Sequence, residues 1–198
     1  EAGAGSLEAA LAEWRDSGVL ANNEEIVVIG IRIVVPGTYF TIHQELTEEY
    51  FSKLKLVATD WPLHLAPVLA ELEIIKQLLP QARLFALSDS AFHQPLPDQA
   101  RLLAINQDLA TKFDLYRFGY HGFSLASVVS QLTSKSEGLP EKVIVAHLGG
   151  GASVTALQNG KTVTTSMSYS PVSGLPMSTR SGDLDPAVVL KLLQESKL

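Results

Sequence analysis

The chain has 198 residues, 46% of them hydrophobic, with a formal net charge of −6 and no cysteine. This length and apolar content suit a core of one large or two small domains and exclude an intrinsically disordered chain. The acidic balance without a basic run speaks against nucleic acid, no apolar stretch reaches the ~20 residues of a membrane span, and the lack of cysteine removes disulfides, thiolate metal sites and a cysteine nucleophile together.

These features fit a cytoplasmic protein with no nucleic-acid or membrane partner. Leu7, Leu11 and Trp14 fall at helical spacing behind Ser6, a suitable N-cap, so the spacing predicts a short amphipathic helix ended by Gly18. Residues 25–35 are almost uninterrupted Ile and Val, the pattern of a central strand, with one internal charge at Arg32. A buried Arg is costly unless it meets an anion or a carboxylate. Arg32 is therefore either an anion ligand or a locally paired residue at the strand's exposed end. Pro36 and Gly37 close the strand, and Thr47 followed by Glu48 and Glu49 opens a helix to about Val57. Pro62, Leu63 and His64 read as a loop, and residues 66–79 as a second helix stopped by Pro80. Arg83 to Leu87 is the next buried-type strand, delivering Ser88, Asp89 and Ser90 at its carboxyl end. Ligands in α/β sheets sit at that end of strands, which places Asp89 for chemistry; its other reading is a turn or helix cap.

Pro95 and Pro97 mark an irregular loop, and residues 99–112 have helical character. The run Tyr116-Arg117-Phe118-Gly119-Tyr120-His121-Gly122 precedes a helix predicted over residues 123–132. His121 is thus either a structural histidine or one set at a helix N-terminus, where anions are favoured. After a polar connection at 135–140, Val143 to Ala146 reads as a buried strand, Gly149, Gly150 and Gly151 as a turn, and Ala152 to Leu157 as an alternating strand running into Asn159-Gly160, a hairpin signal. The glycine turn is either a tight connection or a cradle whose backbone N–H groups converge on a phosphate. Residues 166–176 are irregular, and Asp185-Pro186 starts a helix carried by residues 187–194. Beginning at Glu1 and stopping within a helical pattern, the chain reads as a piece of something longer.

Four motifs together resemble the acetate kinase family of the sugar kinase, heat-shock and actin superfamily. They are Ser88-Asp89-Ser90-Ala91-Phe92-His93-Gln94, Arg117-Phe118-Gly119-Tyr120-His121-Gly122, His147-Leu148-Gly149-Gly150-Gly151-Ala152-Ser153 and Ser178-Thr179-Arg180-Ser181-Gly182-Asp183-Leu184-Asp185-Pro186. Weaker matches are Arg32 with its flanking hydrophobics and Pro62-Leu63-His64. The resemblance implies an α/β fold of mixed sheets flanked by helices, in ribonuclease H-like (actin-like ATPase) domains. Residues 1–88 would be part of the N-terminal domain and 89–198 part of the C-terminal domain with its glycine-rich phosphate loop. It also implies a transferase that moves the ATP γ-phosphoryl to acetate with Mg²⁺, and a homodimer in the complete enzyme.

By the same resemblance Asp89, His121 and Arg180 are the catalytic positions: an acid/base carboxylate, a transition-state histidine and a guanidinium on the migrating phosphoryl group. Arg32, Val34, Leu63, Tyr120 and Pro171 would bind the carboxylate substrate, and His147, Leu148, Gly149, Gly150 and Gly151 the ATP phosphates. No metal ligand is assigned. The chain departs from the family's pattern at Ile31 and Val35, normally histidines, at Pro36, at Tyr120, normally Phe, and at Leu125, normally a second histidine. It covers the middle of the family's length, without the N-terminal phosphate loop or the adenosine-binding C-terminal half. The expected function is an acetate kinase-type phosphotransferase present as an incomplete fragment, inactive alone. The alternatives are a propionate or butyrate kinase, or a non-catalytic relative binding an anion or a protein.

Overall fold

The structure, a computed structural model, describes residues 4–135 and 138–196, with the side chains of residues 4–6, 24, 62–64 and 196 outside the description. Two compact units divide the chain, one made of residues 1–35 and 42–88, the other of 36–41 and 89–198.

The first unit contains α1 (Ala4–Asp16), β1 (Val28–Ile33), β2 (Gln44–Glu45), α2 (Glu48–Ala58), α3 (Pro62–Leu78) and β3 (Arg83–Ser88). Helix α1 starts before Ser6, which lies inside its first turn and not at its cap. Thr47 does cap α2, its hydroxyl accepting the Tyr50 N–H at 3.2 Å. The loop expected at Pro62-Leu63-His64 is instead the first turn of α3. Proline suits that position because the first helical N–H has no intrahelical acceptor to lose and the fixed φ is already helical. Helices α2 and α3 meet around Phe51, whose ring has the Lys55 and Lys76 ammonium groups 4.3 and 4.1 Å from its centroid.

The sheet order is β1-β3-β2, with β1 parallel and β2 antiparallel to β3. The central strand is therefore β3, and β1 is an edge strand with Val28 54% exposed. The apolar run at 25–35 has the pattern of a central strand yet lies at the edge, because periodicity reports burial pressure and not which neighbour supplies it. Parallel register sets Arg32 beside Leu87 and Ile33 beside Ser88, so the carboxyl ends of β1 and β3 share one end of the sheet. Arg32 is exposed there and Val34 half-buried.

The second unit contains α4 (Asp98–Arg101), α5 (Gln107–Phe113), α6 (Gly122–Ser134), β4 (Lys142–Leu148), β5 (Ala152–Gln158), β6 (Lys161–Thr165) and α7 (Pro186–Ser196). The helical character expected over 99–112 is divided between two helices. Leu102 turns extended after α4, and the Asn106 side chain restarts the helix by accepting the Asp108 and Leu109 N–H groups at 2.8 and 3.1 Å. Strands β4, β5 and β6 form an antiparallel sheet in that order. Asn159 and Gly160 both take positive φ, 49° and 73°, the signature of the two-residue hairpin turn that Asn-Gly favours. Strand β4 is an edge strand and not the buried one expected: Ile144 and Leu148 are 76% and 75% exposed, while Val145 points inward onto Leu125 and Leu157. The position where the family's second histidine would stand is thus a core leucine, 0% exposed. At α7 the Asp185 carboxylate caps the first turn, accepting the Ala187 N–H at 2.8 Å.

Candidate active site

All of the following geometry lies within the second unit. Asp89 follows β3 in a tight turn and is 0% exposed. Its carboxylate accepts the His121 backbone N–H at 2.7 Å, and its carbonyl accepts the Gly122 N–H at 3.0 Å. A Cβ on Gly122 would overlap the Asp89 carbonyl oxygen, so this close approach of two backbones requires glycine. Ser90 donates to the Gly119 carbonyl at 2.7 Å. The Asp89-Ser90 turn and the aromatic run before α6 are therefore held together by both side chain and backbone.

That clamp sets His121, the residue preceding α6, in a left-handed conformation with φ 62°. Its ring stacks on His147 at the end of β4, with centroids 3.9 Å apart and planes 26° apart. Nδ1 of His121 lies 3.0 Å from the Ser153 hydroxyl on β5, and Nδ1 of His147 lies 2.9 Å from the Ser124 hydroxyl on α6. The opposite ring edges face the turn between β4 and β5. A Cβ built on Gly151 would stand 3.1 Å from both His121 Nε2 and Arg180 Nη1, and one on Gly149 would stand 3.5 Å from His147 Nε2. Asp89, His121, His147, Gly149 to Gly151 and Arg180 are thus brought together.

The turn owes its glycines to something other than φ, since none of the three takes a positive value. Gly149 donates its N–H to the Gly151 carbonyl at 3.0 Å, and the Gly150 carbonyl accepts the Ser178 hydroxyl at 2.8 Å. Arg180 donates through Nη1 to the Pro171 carbonyl at 3.1 Å. Its loop is closed on itself where the Asp183 carboxylate accepts the Gly174 N–H at 2.8 Å.

Of the expected substrate-pocket residues, Tyr120 and Pro171 belong to this unit and are buried. The Tyr120 ring is 0% exposed and its hydroxyl donates to the Tyr169 carbonyl at 2.6 Å, so the extra polar atom relative to Phe is accommodated by the protein itself. Burial, helped by Tyr169 and the Asp89 charge, pushes this phenol well above its ordinary value of 10.0. His93, also buried, holds the Tyr120 carbonyl at 2.9 Å and the Thr162 hydroxyl at 3.1 Å. Desolvation lowers its pKa below 6.5, opposed by the bond to Tyr120 and the charge of Asp89. Leu148 is exposed. Arg32 and Val34 belong to the first unit, as does Leu63, whose side chain lies outside the described residues.

Neither Ser153 nor Ser124 is singled out in a one-dimensional reading: Ser153 closes the motif that begins at His147, and Ser124 lies two residues beyond the motif that ends at Gly122. Ser153 is a polar residue at an inward position of an alternating strand, 1% exposed, and that mismatch is the signal that singles it out. Among the described residues no group of three or more His, Asp or Glu side chains is arranged to hold a metal ion. The Asp89 carboxylate serves His121, and that of Asp183 the Gly174 N–H. No helix among the described residues is long and apolar enough to cross a membrane.

Comparison with known proteins places the whole chain in one family. The sequence pattern of the acetokinase family matches residues 2–198. The chain belongs to the acetokinase family. Acetate kinase of Clostridium acetobutylicum is 38% identical over 182 residues, covering 90% of the chain and 45% of that relative. Among solved structures, a propionate kinase from Francisella tularensis superposes with a TM-score of 0.84 at 32% identity, and Porphyromonas gingivalis acetate kinase with 0.79 at 33%; each match covers 98% of this chain and 50% of the other. The chain spans about half the length of these acetokinase relatives. Its mixed α/β architecture, small sheets flanked by helices, accords with the actin-like ATPase fold of the family.

Proposed function

We propose that the chain is part of an ATP-dependent carboxylate kinase acting on acetate, and that its two units belong to the family's N-terminal and C-terminal domains. In the reaction a carboxylate oxygen attacks the γ-phosphorus of ATP, the bond to the β,γ-bridging oxygen breaks, and ADP leaves with the electron pair, giving acetyl phosphate. A short-chain carboxylate is already ionised at neutral pH, so the step needs charge neutralisation and alignment and no proton abstraction. One observation carries the reading: His121 Nε2 and Arg180 Nη1 converge on the same side of Gly151, each 3.1 Å from the point a side chain would occupy. Donors converging on a small, side-chain-free space suit an anion whose charge grows in the transition state.

The proposed roles follow. Arg180 and His121 stabilise the migrating phosphoryl group, and His147, Leu148 and Gly149 to Gly151 hold the ATP phosphates. Arg32, Val34, Leu63, Tyr120 and Pro171 bind the carboxylate substrate. Asp89 acts in catalysis by holding the His121 turn, in keeping with a fully buried carboxylate and a reaction that needs no base. The same proposal takes MgATP as the nucleotide substrate and the complete enzyme as a cytoplasmic homodimer. The experiment is hydroxylamine trapping of acyl phosphate from MgATP with acetate, propionate or butyrate, using the complete enzyme. Acetohydroxamate formed fastest at equal substrate supports acetate kinase; a preference for propionate or butyrate transfers the assignment to those kinases, and no hydroxamate with any acid refutes it.

A further inference from the structure

Each imidazole of the stacked pair has its two nitrogens in different surroundings. Nδ1 of His121 meets the Ser153 hydroxyl at 3.0 Å and Nδ1 of His147 meets the Ser124 hydroxyl at 2.9 Å, while both Nε2 atoms face the glycine turn, that of His121 3.1 Å from where a Cβ on Gly151 would stand and that of His147 3.5 Å from where one on Gly149 would stand. A neutral imidazole carries one donor and one acceptor, and the partner of the first nitrogen decides what the second presents. We propose that Ser153 and Ser124 are positioning residues that donate to Nδ1 of His121 and His147, so that both rings hold the Nε2–H tautomer and present two N–H donors to a phosphate group at the turn.

The proposal rests on the phosphate reading above and deepens it. A fully ionised phosphate offers acceptors only, so a ring whose Nε2 bore a lone pair would repel it; a hydroxyl that donates at Nδ1 prevents that arrangement. The elements supply the geometry. Ser153 stands opposite His147 in the β4–β5 register. Ser124 sits in the first turn of α6, three residues beyond His121, so one helix start positions both rings. Ser153 is 1% exposed, which keeps water from replacing its hydroxyl.

The test is long-range ¹H–¹⁵N spectroscopy of the 198-residue chain with ¹⁵N-histidine, above the ordinary histidine pKa of about 6.5. Protonation at Nε2 of both rings is expected. Ser153→Ala is expected to shift His121 toward the Nδ1–H form while leaving His147 unchanged, Ser124→Ala to do the converse, and Ser124→Thr to retain the parental pattern. A purely structural serine would leave the tautomers where they are. Nδ1–H rings in the parent chain overturn the positioning role, and that spectrum decides even if a variant does not fold. Added pyrophosphate is expected to move both Nε2–H resonances. If the tautomers are as proposed but pyrophosphate moves neither, the phosphate reading of the site falls instead.

Discussion

The Asp89 carboxylate, 0% exposed, accepts the backbone N–H of His121 at 2.7 Å, and His121 holds a left-handed φ of 62°. That conformation is uncommon outside glycine and is retained where the surroundings over-determine it. Asp89→Ala should leave the N–H without its acceptor and cost about 1–3 kcal/mol of stability. Asp89→Asn keeps an acceptor oxygen and should cost less. Denaturant melts of the chain carrying each change measure this; equal stability of the alanine variant and the parent would falsify the anchor.

Gly150 and Gly151 separate the protein's needs from the ligand's. A Cβ at Gly150 meets only the Ser178 hydroxyl at an ordinary 3.7 Å, whereas one at Gly151 presses on Arg180 and His121 at 3.1 Å. Gly150→Ala should therefore fold normally, and in the complete enzyme any loss of ATP affinity reports a phosphate at the backbone. Gly151→Ala should displace the two side chains and reduce turnover as well. Calorimetry giving parental ATP affinity for Gly150→Ala would remove the phosphate from this turn.

For Arg180 the fork matters as much as the charge. Lysine keeps the charge but loses the planar guanidinium that both binds the Pro171 carbonyl and faces Gly151. Arg180→Lys in the complete enzyme should lower kcat by about 10²–10³, the range for losing one aligned transition-state donor. A surface ion pair would be worth only about 0–1 kcal/mol. Steady-state kinetics of Arg180→Lys beside Arg32→Lys decide the matter, and near-parental turnover in both refutes the roles proposed for these arginines.

Burial of His93 makes stability depend on pH. Its folded pKa lies below the ordinary 6.5, so as pH falls the unfolded chain takes up the proton first. The contribution of His93 is complete above about pH 6.5 and declines below it, toward the folded value, with a limiting slope of about 1.36 kcal/mol per pH unit. His93→Gln should flatten that part of the profile. The comparison uses slopes from melts on either side of pH 6.5 and not absolute stabilities, and identical slopes contradict it.

The 198-residue chain alone, about half the length of its relatives, should not turn over MgATP and acetate at enzyme rates on the order of 1–10³ s⁻¹. Asp89, His121, Arg180 and the glycine turn are the charged and donor groups of one unit, and in-line transfer needs the nucleotide held along its length. Hydroxylamine trapping with the purified chain reads this directly; hydroxamate at those rates means that the remaining half is dispensable.

Much of the local structure can be read from short-range chemistry. Thr47 and Asp185 announce their helices because a cap is a contact across two or three residues, and Asn159-Gly160 announces its hairpin because positive φ is a property of those residues themselves. The strands at 25–35 and 143–146 are recognisable as strands for the same reason. Their place at the sheet edges is not, since an apolar run looks the same whichever neighbour covers it. The loop expected at Pro62 fails because proline ends helices and also begins them, and residue type alone does not choose between the two.

What the sequence by itself determined was the set of chemically able residues: a carboxylate after β3, a histidine before α6, another before three glycines, and an arginine beyond them. Only the tertiary structure decided their partnership. His121 and His147 are neighbours because α6 packs through Leu125 on Val145 and Leu157, which brings a helix start over a strand end. Ser153 reaches His121 because antiparallel register places it opposite His147. These contacts join residues far apart along the chain, and their geometry comes from burying a shared apolar face, a requirement that no short window of sequence contains.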